Sequence, residues 1–394
     1  MYDETYYQLG KASNIIRQIF ACSLKRQAEI GKENVYDYSL GNPSVPTPQE
    51  VQDAIVEIVQ TRPSLDVHGY TMSAGDASVR QTVADSLNRR FGTDIQAKNI
   101  YMATGAAGGL VMAMRGLYED GDEGITFTPF FTEYTVYAET AGYKFIQVKS
   151  EEGTFQPDAK NLEAAITPKT KFVILNSPNN PSGAIYKKEK LIEVAEMMKR
   201  KEKEYGHPIF IISDEPYREL AYSGEVTFVP TLYDNTIVCY SFSKCFSMPG
   251  ERIGYIVVPP SVTNSEEVFY AIAGAGRALG YICAPSLMQY VAQKCIDVMP
   301  DISPYIKNRE LLYGSLTEMG YECIYPDGAF YLCMKALEDD AIAFCERAKK
   351  YEIMIVPGDE FAAPGYVRLA YCVDYDMIKR SLPAFQKLMD EYKK

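Results

Sequence analysis

Histidine is almost missing from this chain of 394 residues, with His68 and His207 the only two. A Ser-His-Asp hydrolase or a histidine-rich metal centre is hard to build from so few imidazoles, and no cluster of metal ligands is apparent, so the chemistry must rest on other side chains. No run approaches the ~18 consecutive apolar residues of a membrane-spanning helix. The opening Met1-Tyr2-Asp3-Glu4-Thr5-Tyr6 lacks the basic start and apolar run of a secretory signal, which makes the cytoplasm the expected location. No Cys-x-x-Cys pair occurs among nine cysteines scattered from Cys22 to Cys372, a usage that fits reduced, buried thiols. Positive charge is also short. A net charge of −12 and a pI near 4.9 argue against nucleic acid or an anionic membrane as partner, so local positive charge has to be placed deliberately. There is no low-complexity tract or fixed-period repeat, which excludes solenoids and linker-joined arrays.

What is present is an alternation. Asn99 to Ala103, Lys171 to Leu175, Pro208 to Ser213 and Thr236 to Tyr240 read as buried strands, rich in β-branched and aromatic residues and bounded by turn formers. Helical patterns lie between them, at Leu110 to Tyr118 and at Lys187 to Tyr205. This order predicts an α/β fold with a mostly parallel, doubly wound sheet. From about Pro285 the texture changes to helices at Leu287 to Val298, Ile306 to Met319 and Met377 to Tyr392, with a short β-like run at Gly328 to Met334. Two units are therefore expected: a large domain over 47–285 and a smaller α+β domain formed by 1–46 and 286–394.

The unusual residues follow the predicted strands, at the edge where open α/β sheets bind ligands. After Ala103 comes Thr104-Gly105-Ala106-Ala107-Gly108-Gly109, small enough for amides at a helix N-terminus to approach a phosphate; a tight turn with close helix packing explains the same residues. The polar turn Asn176-Ser177-Pro178-Asn179-Asn180-Pro181-Ser182-Gly183 holds more amides than turn chemistry requires. Asp214, before Glu215-Pro216-Tyr217, is a carboxylate at a buried strand end and needs a cationic partner unless it is a helix cap. Ser241-Phe242-Ser243-Lys244 places a lysine after two hydroxyls, with Arg252 eight positions on, a pattern suited to a Schiff-base amine beside a phosphate site. Near the C-terminus, Arg368 sits in an apolar, aromatic strand, either as an edge charge or as a bidentate clamp for a carboxylate.

In order and spacing these motifs resemble the fold-type I pyridoxal-phosphate enzymes, and within them the class I/II, aspartate aminotransferase-like aminotransferases. Asp214 and Lys244 lie 30 residues apart, and the resemblance runs from about Tyr38 to Leu382. It implies a large domain with a seven-stranded-type sheet and pyridoxal 5'-phosphate carried on Lys244, the lysine that also moves the substrate Cα proton. It further implies Asp214 as partner of the ring nitrogen, Tyr217 and Asn180 at the phenolic oxygen, and Phe131 stacked on the ring. Many relatives have Trp or Tyr there; Phe can stack but cannot donate a hydrogen bond.

The resemblance implies that Gly105, Ala106, Ala107, Ser241, Ser243 and Arg252 hold the phosphate, joined by Tyr70 of a neighbouring subunit, and hence a homodimer. Arg368, with Gly41 and Asn180, is implied to grip the substrate α-carboxylate. The activity so implied is exchange of an amino group between an L-amino acid, of the aspartate/glutamate or aromatic type, and a 2-oxo acid. A same-fold carbon–sulfur β-lyase would use almost the same residues. A nicotinamide-dependent dehydrogenase is suggested only by Gly274-x-Gly276-x-x-x-Gly280, one residue off the fingerprint and without a clear preceding strand. Arg277 reads either as a surface residue or as a contact to a side-chain carboxylate.

Overall fold

In a computed structural model, described for residues 1–11, 14–223 and 226–393, seven strands form one twisted sheet. In chain order they are β1 (Ile100–Ala103), β2 (Glu123–Thr128), β3 (Lys144–Lys149), β4 (Thr170–Asn176), β5 (Phe210–Asp214), β6 (Thr236–Ser241) and β7 (Gly254–Val257). Their spatial order is β1-β7-β6-β5-β4-β2-β3, and only β7 runs antiparallel to its neighbours. All residues of β1, β5, β6 and β7 are buried, which is why these strands read as continuous apolar runs rather than as alternations. Strand β3, at the edge, exposes Lys144 and Lys149 and was hidden from pattern reading for that reason.

Side chains alternate across the sheet. Phe172, Ile174, Ile212 and Ile237 pack with the helices Gly105–Leu117 and Ser265–Ala278 on one face. Val173, Leu175 and Ile211 pack with the helix Lys188–Tyr205 on the other. Gly274 and Gly276 lie within the helix Ser265–Ala278, so the glycine pattern there has no strand-turn setting for a dinucleotide.

A second, antiparallel sheet has strands β8 (Tyr331–Lys335), β9 (Val356–Pro357) and β10 (Tyr366–Ala370) in the order β9-β10-β8. The helices Ser303–Met319, Ala341–Lys349 and Tyr375–Tyr392 bury their apolar faces with it in a core containing Leu312, Phe344 and Phe385. The N-terminal segment joins this part of the chain: Tyr36–Asp37 pairs in parallel with Ile353–Met354. The helix Ser286–Lys294 instead packs Met288 and Val291 with Val83 and Val238, against the large sheet.

Beneath the carboxyl edge of the large sheet lies a buried ionic layer. Glu215 accepts from Ser213 Oγ at 2.7 Å and from Arg218 Nε at 2.5 Å, and Arg218 Nη1 also donates to the Tyr255 hydroxyl at 3.0 Å. Arg90 then makes two bonds to Glu219, at 2.8 and 2.9 Å. The side chains of Glu215 and Arg218 are each 2 % exposed, so neither charge has water to replace its partner. Glu215→Ala is expected to destabilise the fold by ~3–5 kcal/mol, measured by urea unfolding, because the Arg218 charge is left buried and unpaired.

Candidate active site

The sheet delivers its chemistry along one rim. Strands β1, β4, β5 and β6 end there, and β7, being antiparallel, begins there, which brings Arg252 to the same edge. Strands β8 and β10 approach from the other side with Tyr331 and Arg368. Between them is a cavity of about 280 Å³. Twelve of the fourteen residues singled out from the sequence line it: Gly41, Ala106, Ala107, Phe131, Asn180 and Asp214, together with Tyr217, Ser241, Ser243, Lys244, Arg252 and Arg368.

Asp214 closes β5. The Tyr134 hydroxyl donates to its Oδ2, and Asn176 Nδ2 donates to its backbone carbonyl at 2.9 Å and more weakly to Oδ2 at 3.4 Å. Its Oδ1 is buried with no hydrogen-bond partner among the described residues. Burial pushes this carboxyl up to about 7; the Tyr134 bond opposes that shift and the neighbouring Glu215 charge adds to it.

Lys244 stands just beyond β6, in a turn tied by the 2.8 Å contact between the Ser241 and Ser243 hydroxyls. Its Nζ donates to the Gly41 carbonyl at 3.0 Å and lies 5.8 Å from the Tyr217 ring centre and 5.4 Å from that of Phe330. Burial pushes the ammonium down to about 8; Arg252 and Arg368 push the same way and the Cys372 thiol opposes them. An amine so placed is a better nucleophile near neutral pH than a surface lysine.

Arg368 is 2 % exposed. Its Nη1 donates to Asn180 Oδ1 at 3.2 Å and its Nη2 to the Ser39 carbonyl at 2.5 Å, while Nε has no partner among the described residues. The guanidinium lies 4.8 Å from the Tyr331 ring centre and 4.7 Å from that of Phe361. Asn180 is held in turn by Asn176, whose Oδ1 accepts from the Asn180 amide at 2.8 Å.

Gly105 has φ +79° at the start of its helix, and a Cβ there would lie 2.9 Å from Arg252 Nη2. Arg252, also left-handed at φ 52°, donates to the carbonyls of Pro249 at 2.8 Å and Thr104 at 3.2 Å. A helix N-terminus, two hydroxyls and a guanidinium thus converge on one end of the cavity, an arrangement suited to a dianion.

Tyr70 is 90 % exposed and outside the cavity, and Arg277 is exposed on its helix. Sequence reasoning missed Tyr331, which lines the cavity, and Ile16, which reaches it from the N-terminal helix Ile15–Ile30; it reads Tyr134 as aromatic surroundings of the substrate, whereas Tyr134 holds Asp214. Asn176 was noticed only as part of a turn; its place as the last residue of β4, level with Asp214, was the available signal.

Among the described residues no helix is long and apolar enough to cross a membrane. The sequence pattern of the family described as "Aminotransferase class I and II" matches residues 33–385. An aspartate aminotransferase of Thermotoga maritima is 30 % identical over 374 residues, covering 93 % of this chain and 94 % of that protein. An aromatic-amino-acid aminotransferase of Thermococcus litoralis is 28 % identical over 382 residues, covering 92 % of this chain and 94 % of that protein. The crystal structure of an aminotransferase from Eubacterium rectale superimposes with a TM-score of 0.98 at 50 % identity, over 100 % of both chains. With the fold and the family pattern in agreement, the chain belongs to the class I and II aminotransferases, enzymes dependent on pyridoxal phosphate.

Proposed function

We propose that this aminotransferase carries its cofactor on Lys244 and exchanges the amino group of an L-amino acid, of the aspartate/glutamate or aromatic type, with a 2-oxo acid. The observation that carries this reading is Asp214: a buried carboxyl with Oδ2 engaged by Tyr134 and Oδ1 unpartnered, on the wall of the cavity that Lys244 also lines. An orphaned carboxylate oxygen is costly, and a protonated pyridine nitrogen relieves it. The phosphate-sized corner at Gly105, Ala106, Ala107, Ser241, Ser243 and Arg252 fits the other end of the same molecule. Phe131 supplies a ring face for stacking, and Tyr217 and Asn180 supply polar groups for the phenolic oxygen. Bound there, the cofactor supplies an electron sink for the pair released at the substrate Cα.

The remaining steps belong to the chain. Arg368, assisted by Asn180 and the Gly41 backbone, binds and orients the substrate carboxylate through the Nε that has no partner among the described residues. Lys244, lowered to about 8, takes and returns the proton at Cα. Phe330 and Tyr217 flank the amine and limit water around it.

In this reading the enzyme is a cytoplasmic homodimer in which Tyr70 reaches the neighbouring site. Leu65, Tyr70, Met72, Leu279 and Ile282 are exposed apolar side chains on two segments joined by bonds from Ser286 Oγ to the Val67 carbonyl and from Gln289 Nε2 to Thr71 Oγ1. Such a patch supports a subunit interface, and nine free thiols fit a reducing compartment. The chain is further proposed to divide into a large domain from 47 and a small one that includes 1–46. The packing of Met288, Val291 and Cys295 with the large sheet supports a boundary beyond 295 rather than at 286.

Lys244→Ala is expected to abolish the imine absorbance of the bound cofactor and to lower turnover by roughly 10²–10⁴-fold, with retained turnover and an unchanged spectrum counting against the reading. Arg368→Ala should reduce kcat/KM for amino-acid donors by about 10- to 100-fold, since a charge-assisted bond to the substrate carboxylate is lost, with little change in cofactor content. Only the neutral amine captures an aldehyde. The rate at which apoenzyme develops the visible band should therefore rise with pH through about 8 and level off above it, followed by stopped-flow absorbance.

A further inference from the structure

Tyr331 opens β8 directly after Phe330. It is 3 % exposed and its hydroxyl stands 2.9 Å from that of Tyr217, itself 5 % exposed. The ring lies against Arg368, and the hydroxyl occupies space left by Gly41, where a Cβ would come within 2.1 Å of the Tyr331 oxygen. The contact joins chain positions 114 residues apart, the large sheet's rim and the second sheet.

A phenol has one proton to give and lone pairs to receive. If Tyr217 donates into the cavity, its bond to Tyr331 can only be one in which Tyr331 donates. Burial raises both phenols, and the Arg368 guanidinium, 4.8 Å from the Tyr331 ring centre, opposes that rise.

We propose that Tyr331 is a positioning residue for the reaction, donating to the Tyr217 hydroxyl so that the Tyr217 proton is directed at the cofactor's phenolic oxygen. The inference rests on the assignment of Tyr217 in the proposed function. It gives Tyr331 an effect on the cofactor's electronics that a packing residue lacks: accepting a hydrogen bond makes Tyr217 a stronger donor, and a stronger donor favours the deprotonated form of the bound chromophore.

The test is a spectrophotometric pH titration of the holoenzyme in four forms: wild type, Tyr331→Phe, Tyr217→Phe and the double variant. Phenylalanine keeps the ring against Arg368 and removes only the oxygen. Tyr331→Phe is expected to raise the midpoint of the visible band by about 0.5 pH unit or more, the size of one net hydrogen bond. Tyr217→Phe should raise it further, and the double variant should match Tyr217→Phe alone, because Tyr331 acts only through Tyr217. A Tyr331→Phe midpoint equal to wild type, or a full additional shift in the Tyr217→Phe background, overturns the inference while leaving the proposed function intact. A wild type that forms no visible band with added pyridoxal phosphate overturns the assignment of Lys244 and this inference with it.

Discussion

The arrangement depends on one buried carboxyl. Asp214, at the end of β5, is 4 % exposed. Everything adjacent is organised around that cost: Tyr134 and Asn176 hold one side of the group, and the cavity lies on the other. The next residue, Glu215, turns away from the cavity to Arg218, so two consecutive carboxylates have different surroundings. An isolated carboxylate in such a place favours its neutral form, and a cationic partner would keep it charged.

The second organising feature is convergence from two sheets. The large sheet supplies a rim of strand ends with Asp214, Ser241, Lys244 and Arg252, while the antiparallel sheet supplies Tyr331 and Arg368. Contacts that tie them include Lys244 to the Gly41 carbonyl, Arg368 to Asn180 and Tyr217 to Tyr331, beside the apolar packing of Tyr217 and Leu220 in the core of the second sheet. In a chain with two histidines these roles fall to amine, guanidinium and phenol, and the chain has 31 tyrosines from which to draw.

Much of this was legible beforehand, for a physical reason. Strands buried on both faces are written as apolar runs, and the residues that break the pattern at their ends are the ones that face the cavity, as with Asp214 after Phe210 to Ser213 and Ser241 after Thr236 to Tyr240. What stayed hidden lacked such a signal. Strand β2 contains Gly124, beside which the Phe172 ring sits where a side chain would be, so the run Glu123–Thr128 lacks a continuous apolar pattern. Strand β3 carries lysines at both ends. Tyr134 and Tyr331 are two tyrosines among many, distinguished only once folding sets them against Asp214 and Tyr217, 80 and 114 residues away. Tyr70 and Arg277 remain on the surface of the single chain.

The central claim is that Lys244, and no other amine, carries the cofactor. The direct measurement is to load the protein with pyridoxal phosphate, reduce it with borohydride and map the peptides by mass spectrometry. One phosphopyridoxyl adduct per chain, on Lys244, is expected. An adduct on another lysine, or none, would contradict it.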